Sequence, residues 1–131
     1  MGTILAGGVL TGANPTYVAR ELAYQLQDSG AKFLITAEGS LQTALEAAKS
    51  IDFPQDRIFN FDDGYATFDE RGQSVNGISH WSSLLASPRE ATDFVWESFS
   101  SREQMHRTAV LNYSSGTTGV RILMIGTLAL V

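Results

Sequence analysis

Val18-Ala19-Arg20-Glu21-Leu22-Ala23-Tyr24-Gln25-Leu26-Gln27-Asp28-Ser29-Gly30-Ala31-Lys32-Phe33-Leu34-Ile35-Thr36 is the stretch whose reading decides the fold. Val18, Leu22 and Leu26 recur every four residues, with Ala19 and Ala23 beside them. That spacing lines one face of a helix over residues 18–29. Gly30 stands where a helix closes in a left-handed turn. Phe33-Leu34-Ile35-Thr36 then reads as a short buried strand. A helix followed within a few residues by a buried strand is half of an α/β unit, so the flanks decide whether the pattern continues.

It continues on both sides. Upstream, Asn14-Pro15 marks a turn, and residues 1–10 are small and apolar, as if cut from inside an element. Downstream, Ser40 stands as the N-cap of a second helix with Leu41, Ala44, Leu45 and Ala48 on one face. Pro54 ends that connection, and Ile58-Phe59-Asn60-Phe61 reads as another strand before Asp62-Asp63-Gly64. Residues 9–62 therefore alternate strand, helix, strand, helix, strand. That order predicts the α/β class, a mostly parallel sheet with flanking helices, because each crossover is a helix. Residues 63–78 are polar and irregular. Residues 80–85 form a short helix stopped before Pro88, Phe94, Trp96 and Phe99 sit in an unassigned segment, and residues 108–112 form a strand.

The chain has 131 residues, one domain's worth. Its 44% hydrophobic and 18% charged residues are globular rather than disordered composition. A net charge of −5 without a basic cluster argues against nucleic acid or an acidic membrane surface as partner. There is no cysteine, which excludes disulfides and thiolate metal sites and suits an intracellular protein. The start lacks the basic residues of a signal peptide, and Ala6 stands where the myristoylation pattern wants Ser or Thr. Residues 122–131 are mostly apolar, about half the length that spans a bilayer.

After the strand at 108–112 the sequence reads Tyr113-Ser114-Ser115-Gly116-Thr117-Thr118-Gly119. Such a stretch packs little into a core. Its Ser and Thr residues offer four hydroxyls, beside two glycines and many free N–H groups, and successive N–H groups in one concavity bind anions, phosphate above all. A polar surface turn accounts for the same composition. Placement at a strand end favours phosphate, because loops there carry ligands in α/β sheets. Other phosphate motifs fail. Gly7 and Gly12 have the outer spacing of a Walker A loop, but Ala13 follows where Lys is required, and Val120-Arg121 follows Gly119. Val9 replaces the second glycine of a dinucleotide fingerprint.

The remaining constellations read as structure. His80 and His106 have no partner at metal-ligand spacing and are surface or packing residues. Asp62-Asp63 and Asp69-Glu70 lack EF-hand spacing and form a solvated acidic loop. Ser114 or Ser115 as a nucleophile needs an elbow that is missing here. No metal-ligating set is assigned.

Leu111-Asn112-Tyr113-Ser114-Ser115-Gly116-Thr117-Thr118-Gly119 resembles the signature of the adenylate-forming enzymes: acyl-CoA synthetases, 4-coumarate–CoA ligases, luciferases and peptide-synthetase adenylation domains. The upstream run Gly8-Val9-Leu10-Thr11-Gly12-Ala13-Asn14-Pro15-Thr16-Tyr17, then Glu21-Leu22 and Ser29-Gly30-Ala31-Lys32-Phe33-Leu34-Ile35-Thr36, is similar to the family stretch about a hundred residues before that loop. The likeness covers roughly residues 5–120 and is strongest to the 4-coumarate–CoA ligase-like branch, fungal members in particular. It implies a partial N-terminal AMP-binding domain over residues 1–120, ending at the phosphate loop, with residues 121–131 as an apolar tail outside the family pattern. By the same resemblance, Ser114, Ser115, Gly116, Thr117, Thr118 and Gly119 wrap the ATP phosphates. ATP with Mg²⁺, CoA as co-substrate and a carboxylic acid are the implied partners, and a cytoplasmic or peroxisomal place follows from them.

The departures are as informative. The family continues Gly-x-Pro-Lys-Gly, whereas Gly119-Val120-Arg121-Ile122-Leu123 lacks the Pro and the Lys. Arg121 falls at the Pro position, one place early for the Lys, and inherits no phosphate contact. The adenine-binding segment, carboxylate pocket, ribose-binding Asp and C-terminal domain with its catalytic Lys have no counterpart. The expectation is a truncated AMP-dependent acyl-CoA synthetase, inactive alone, whose tail reads as translated intron or a degenerate copy. The alternatives are a non-catalytic α/β fragment or partner-binding pseudoenzyme, and an unrelated nucleotide-binding domain with a converged loop. The tail is also expected to promote association, leaving the edge beside 108–112 open, so that its removal raises solubility.

Overall fold

The computed structural model describes residues 2–61, 74–95, 107–115 and 121–127. In chain order these form α1 (Gly2–Leu5), β1 (Leu10–Thr11), α2 (Ala19–Ser29), β2 (Leu34–Ala37), α3 (Leu41–Ser50), β3 (Ile58–Phe61), β4 (Ser79–His80), α4 (Pro88–Asp93), β5 (Thr108–Ser115) and β6 (Arg121–Thr127). Short 3₁₀ turns occupy Glu38–Ser40, Gln55–Arg57 and Trp81–Leu84. The chain divides into two compact units, Met1–Asn14 with Val95–Val131, and Pro15–Phe94.

Within Pro15–Phe94 the decisive stretch folds as its periodicity predicts. Leu22, Ala23 and Leu26 of α2 are buried, and Ala44 and Ala47 of α3 pack against them with no exposed surface. The two alanines let the helices approach closely. Val18 is the exception to the expected face. It stands just outside α2 and is exposed, while its N–H donates to Glu21 Oε2 at 3.2 Å. The helix stops at Gly30, whose φ of 63° and ψ of 29° are left-handed. The Gly30 N–H donates to the Gln27 carbonyl and the Ala31 N–H to the Leu26 carbonyl, so two terminal carbonyls are satisfied in a Schellman motif.

β2, β3 and β4 form a parallel sheet in that order, with Leu34 opposite Ile58, Thr36 opposite Asn60, and Asn60 opposite His80. Leu34 and Ile58 share a face that packs on Leu41 and Ala48 of α3. Ile58 is 1% exposed, and burial of such a side chain contributes about 2 kcal/mol. The expectation that residues 33–36 are wholly buried is corrected. Phe33 and Ile35 are 62% and 53% exposed, because α2 and α3 cover only the opposite face of the sheet.

Other local expectations are adjusted by hydrogen bonding. Ser40 precedes α3 but makes no side-chain cap, since the 3₁₀ turn Glu38–Ser40 already leads into the helix. Pro88 starts α4 rather than ending the preceding turn. Ser87 Oγ accepts the Glu90 N–H at 3.3 Å and Glu90 Oε2 accepts the Ser87 N–H at 2.8 Å, a reciprocal cap with Pro at the first helical position. Asn76 and Gly77, both at positive φ, turn the chain so that Val75 and Ile78 exchange two backbone hydrogen bonds. Asp62-Asp63, Asp69-Glu70, Trp96, Phe99 and His106 lie outside the described residues.

In the other unit the order is β1-β5-β6. β1 pairs parallel with β5, Leu10 opposite Val110 and Thr11 opposite Leu111. β1 therefore joins a different sheet from β2 and β3, which the alternating order of elements did not reveal. β6 pairs antiparallel with β5. The expected open edge beside residues 108–112 is thus corrected: Arg121–Thr127 fills it, and β6 becomes the outer strand.

Candidate functional site

Of the site expected over residues 114–119, Ser114 and Ser115 are the last residues of β5. This strand is central in its sheet, held by β1 on one side and β6 on the other, with an irregularity between Thr108 and Val110. Its pairing with β1 ends at Leu111 opposite Thr11, and β5 runs on through Asn112 to Ser115. β1 and β5 are parallel, so both run toward the same, carboxyl edge of the sheet. That edge is where α/β sheets place ligands.

The strand lasts longer than its composition suggests. Tyr113, Ser114 and Ser115 stand opposite Leu123, Ile122 and Arg121. Ser114 and Ser115 are therefore strand residues. Ser114 is half-buried. Gly116, Thr117, Thr118 and Gly119 lie outside the described residues, but both ends of their segment are fixed. Ser115 and Arg121 are direct register partners, about 5 Å apart by Cα in such a ladder. The next described element is β6, a strand, so no described helix N-terminus follows Ser115.

A second polar feature was missed in the sequence. Thr36, Asn60 and His80 lie at neighbouring register positions across β2, β3 and β4, and all three are buried. His80 Nδ1 accepts the Ser82 N–H at 3.3 Å and lies 2.7 Å from Ser82 Oγ, capping the turn Trp81–Leu84. His80 is thus a packing and capping residue. Asn60 Oδ1 is buried and has no hydrogen-bond partner among the described residues. Nothing in the sequence around Asn60 signals this row, because it exists only once the strands are paired. Among the described residues, no group of three or more His, Asp or Glu side chains could hold a metal ion. Nor is any helix among them long and apolar enough to cross a membrane.

The described elements define a mostly parallel α/β architecture, a class that places ligands at the carboxyl edges of its sheets. The sequence profile of the AMP-binding enzyme family matches residues 1–121, and the chain belongs to that family. It is 33% identical over 121 residues to the acyl-CoA ligase azaF of Aspergillus niger, covering 92% of this chain and 21% of that protein. It is 35% identical over 121 residues to the phenylacetyl-CoA ligase epaB of the same species, with the same coverage, 92% and 21%. It is 30% identical over 123 residues to the 4-coumarate–CoA ligase-like protein 1 of Arabidopsis thaliana, covering 92% and 19%. The chain thus spans about a fifth of the length of these relatives. A red-emitting luciferase of Phrixothrix hirtus has the same fold over 95% of this chain and 22% of its own, with a TM-score of 0.70 at 22% identity.

Proposed function

We propose that residues 1–120 are the part of an AMP-dependent acyl-CoA synthetase that ends in the ATP-phosphate loop, and that residues 121–131 are a tail outside the family pattern. The observation that carries this reading is the Ser/Thr/Gly segment fixed at both ends by Ser115 and Arg121 at the carboxyl edge of the sheet, in a chain of the AMP-binding family. In the complete reaction a carboxylate attacks the α-phosphate of ATP, giving an acyl-adenylate and pyrophosphate. The CoA thiol then displaces AMP. Negative charge builds on the phosphates in the first step, so preorganised donors from Ser114, Ser115, Gly116, Thr117, Thr118 and Gly119, with Mg²⁺, are its stabilisers. ATP and CoA place the reaction inside the cell, in cytoplasm or peroxisome.

The chain alone binds the phosphates without completing either step. Groups that act together lose nearly all catalysis when some are removed, and the chain spans about a fifth of the length of its ligase relatives. The test is incubation with ATP, Mg²⁺, CoA and a panel of aromatic and fatty acids. No AMP or acyl-CoA above a protein-free control is expected, and product formation would overturn the claim of inactivity. A second reading, a non-catalytic partner-binding product, is favoured by one observation: Arg121-Ile122 stands where the family continues Pro-Lys. Absence of any ATP binding at the loop would select it.

A further inference from the structure

The face of the β2-β3-β4 sheet that packs on α3 changes character from one inward-facing residue to the next. Leu34, Ile58 and Ile78, the last just before β4, pack with Leu41 and Ala48. The next residues on that side, toward the carboxyl ends of the strands, are Thr36, Asn60 and His80, which are neighbours in register. Asn60 and His80 are each 2% exposed, and Ser82 beside them has no exposed surface. This chain itself therefore shuts the row off from solvent. A polar side chain so buried costs stability unless it is hydrogen-bonded.

Asn60 is the centre of the row, and neither neighbour meets its Oδ1 directly. That oxygen is buried and has no hydrogen-bond partner among the described residues. The Thr36 hydroxyl donates elsewhere, to the Ala37 carbonyl at 3.4 Å. The His80 ring is oriented by Ser82, whose N–H donates to Nδ1 at 3.3 Å and whose Oγ lies 2.7 Å from the same nitrogen. A neutral imidazole that accepts at Nδ1 carries its proton on Nε2, and Nε2 is buried. A buried acceptor on β3 and a buried donor on β4 thus stand at adjacent register positions, on strands about 4.8 Å apart, without bonding to each other.

We propose that Asn60 and His80 hold one internal water molecule, which accepts the His80 Nε2–H and donates to Asn60 Oδ1. Ordered waters bridge buried polar groups in this way and become part of the structure. The chemistry of the row selects water. It contains no carboxylate, lysine or arginine, and an anion would meet the acceptor oxygen of Asn60. Among the described residues, no group of three or more His, Asp or Glu side chains could hold a metal ion. The burial of Asn60, His80 and Ser82 admits nothing larger. The water ties β3 to the turn Trp81–Leu84 that His80 caps.

NMR of the full chain with isotope-labelled histidine tests this. The chain has two histidines, so His106→Gln assigns the remaining signal to His80. The Nε2–H tautomer is expected. Its ring proton is expected to show a cross-peak to water of opposite sign in laboratory-frame and rotating-frame experiments, which separates a bound water from proton exchange. Asn60→Leu, close in shape and without a polar atom, is expected to abolish that cross-peak, with circular dichroism confirming the fold. A crystal structure of the unaltered chain gives a reading that needs no variant: solvent density within hydrogen-bonding distance of both Asn60 Oδ1 and His80 Nε2. An Nδ1–H tautomer, a cross-peak that survives in folded Asn60→Leu, a direct hydrogen bond between Oδ1 and Nε2, or a dry contact in the crystal would each overturn the proposal.

Discussion

Gly30 carries the transition from α2 to β2 on one backbone conformation. Its φ of 63° is left-handed, and a Cβ built there meets nothing within 4 Å. The cost of a side chain is therefore backbone strain alone. Gly30→Ala is expected to destabilise the unit by about 1 kcal/mol, read as a lower urea midpoint, and Gly30→Asn by less, since Asn tolerates this region. Glu90 makes a second prediction at this scale. Hydrogen bonds from the Ser87 side chain, then from its backbone, hold the Glu90 carboxyl below the usual carboxylate range. A depressed folded value means that the cap stabilises α4 above the ordinary carboxylate value and is lost as pH falls through the folded one. Ser87→Ala is expected to move the Glu90 titration, followed by NMR of its side chain, back toward the ordinary range. A titration unchanged by that substitution would remove Ser87 as the cause.

At the scale of elements, what could be read from the sequence was whatever depends on neighbours along the chain. The spacing of Leu22 and Leu26, the stop at Gly30 and the strand Ile58–Phe61 are local, and the structure has them where the spacing places them. Long-range pairing was not legible. β1 meets β5 a hundred residues later, and nothing near Leu10 marks that partner. The exposed Phe33 and Ile35 follow from which face α2 and α3 cover, which periodicity does not state. The turn at Asn76-Gly77 and the cap Ser87-Pro88-Arg89-Glu90 were legible signals that the polar surroundings and the helix-stopping habit of proline obscured. At the site, the phosphate-type composition was plain, but Ser114 and Ser115 belong to a strand because Arg121 and Ile122 pair with them. This reverses the expectation for the tail. Deleting residues 121–131 uncovers the edge of β5, so the truncated chain is expected to scatter more light than the full chain at matched concentration. Less scattering would restore the tail as the source of association.

For the whole molecule, each unit builds its own sheet, and Ser114 and Ser115, where the segment proposed to bind phosphate begins, belong to the unit containing β1, β5 and β6. The family assignment and the fold agree over nearly the entire chain, and the chain spans about a fifth of the length of its curated relatives. The central claim is therefore narrow: residues 114–119 contact the phosphates of ATP. The most direct measurement is residue-resolved amide NMR during titration with Mg²⁺-ATP. The account predicts weak, saturable shifts concentrated at 114–119 and at Gly12 on the same sheet edge, abolished by Gly116→Ala with Thr117→Ala. Shifts that leave these residues untouched, or micromolar binding that survives the double substitution, would contradict it.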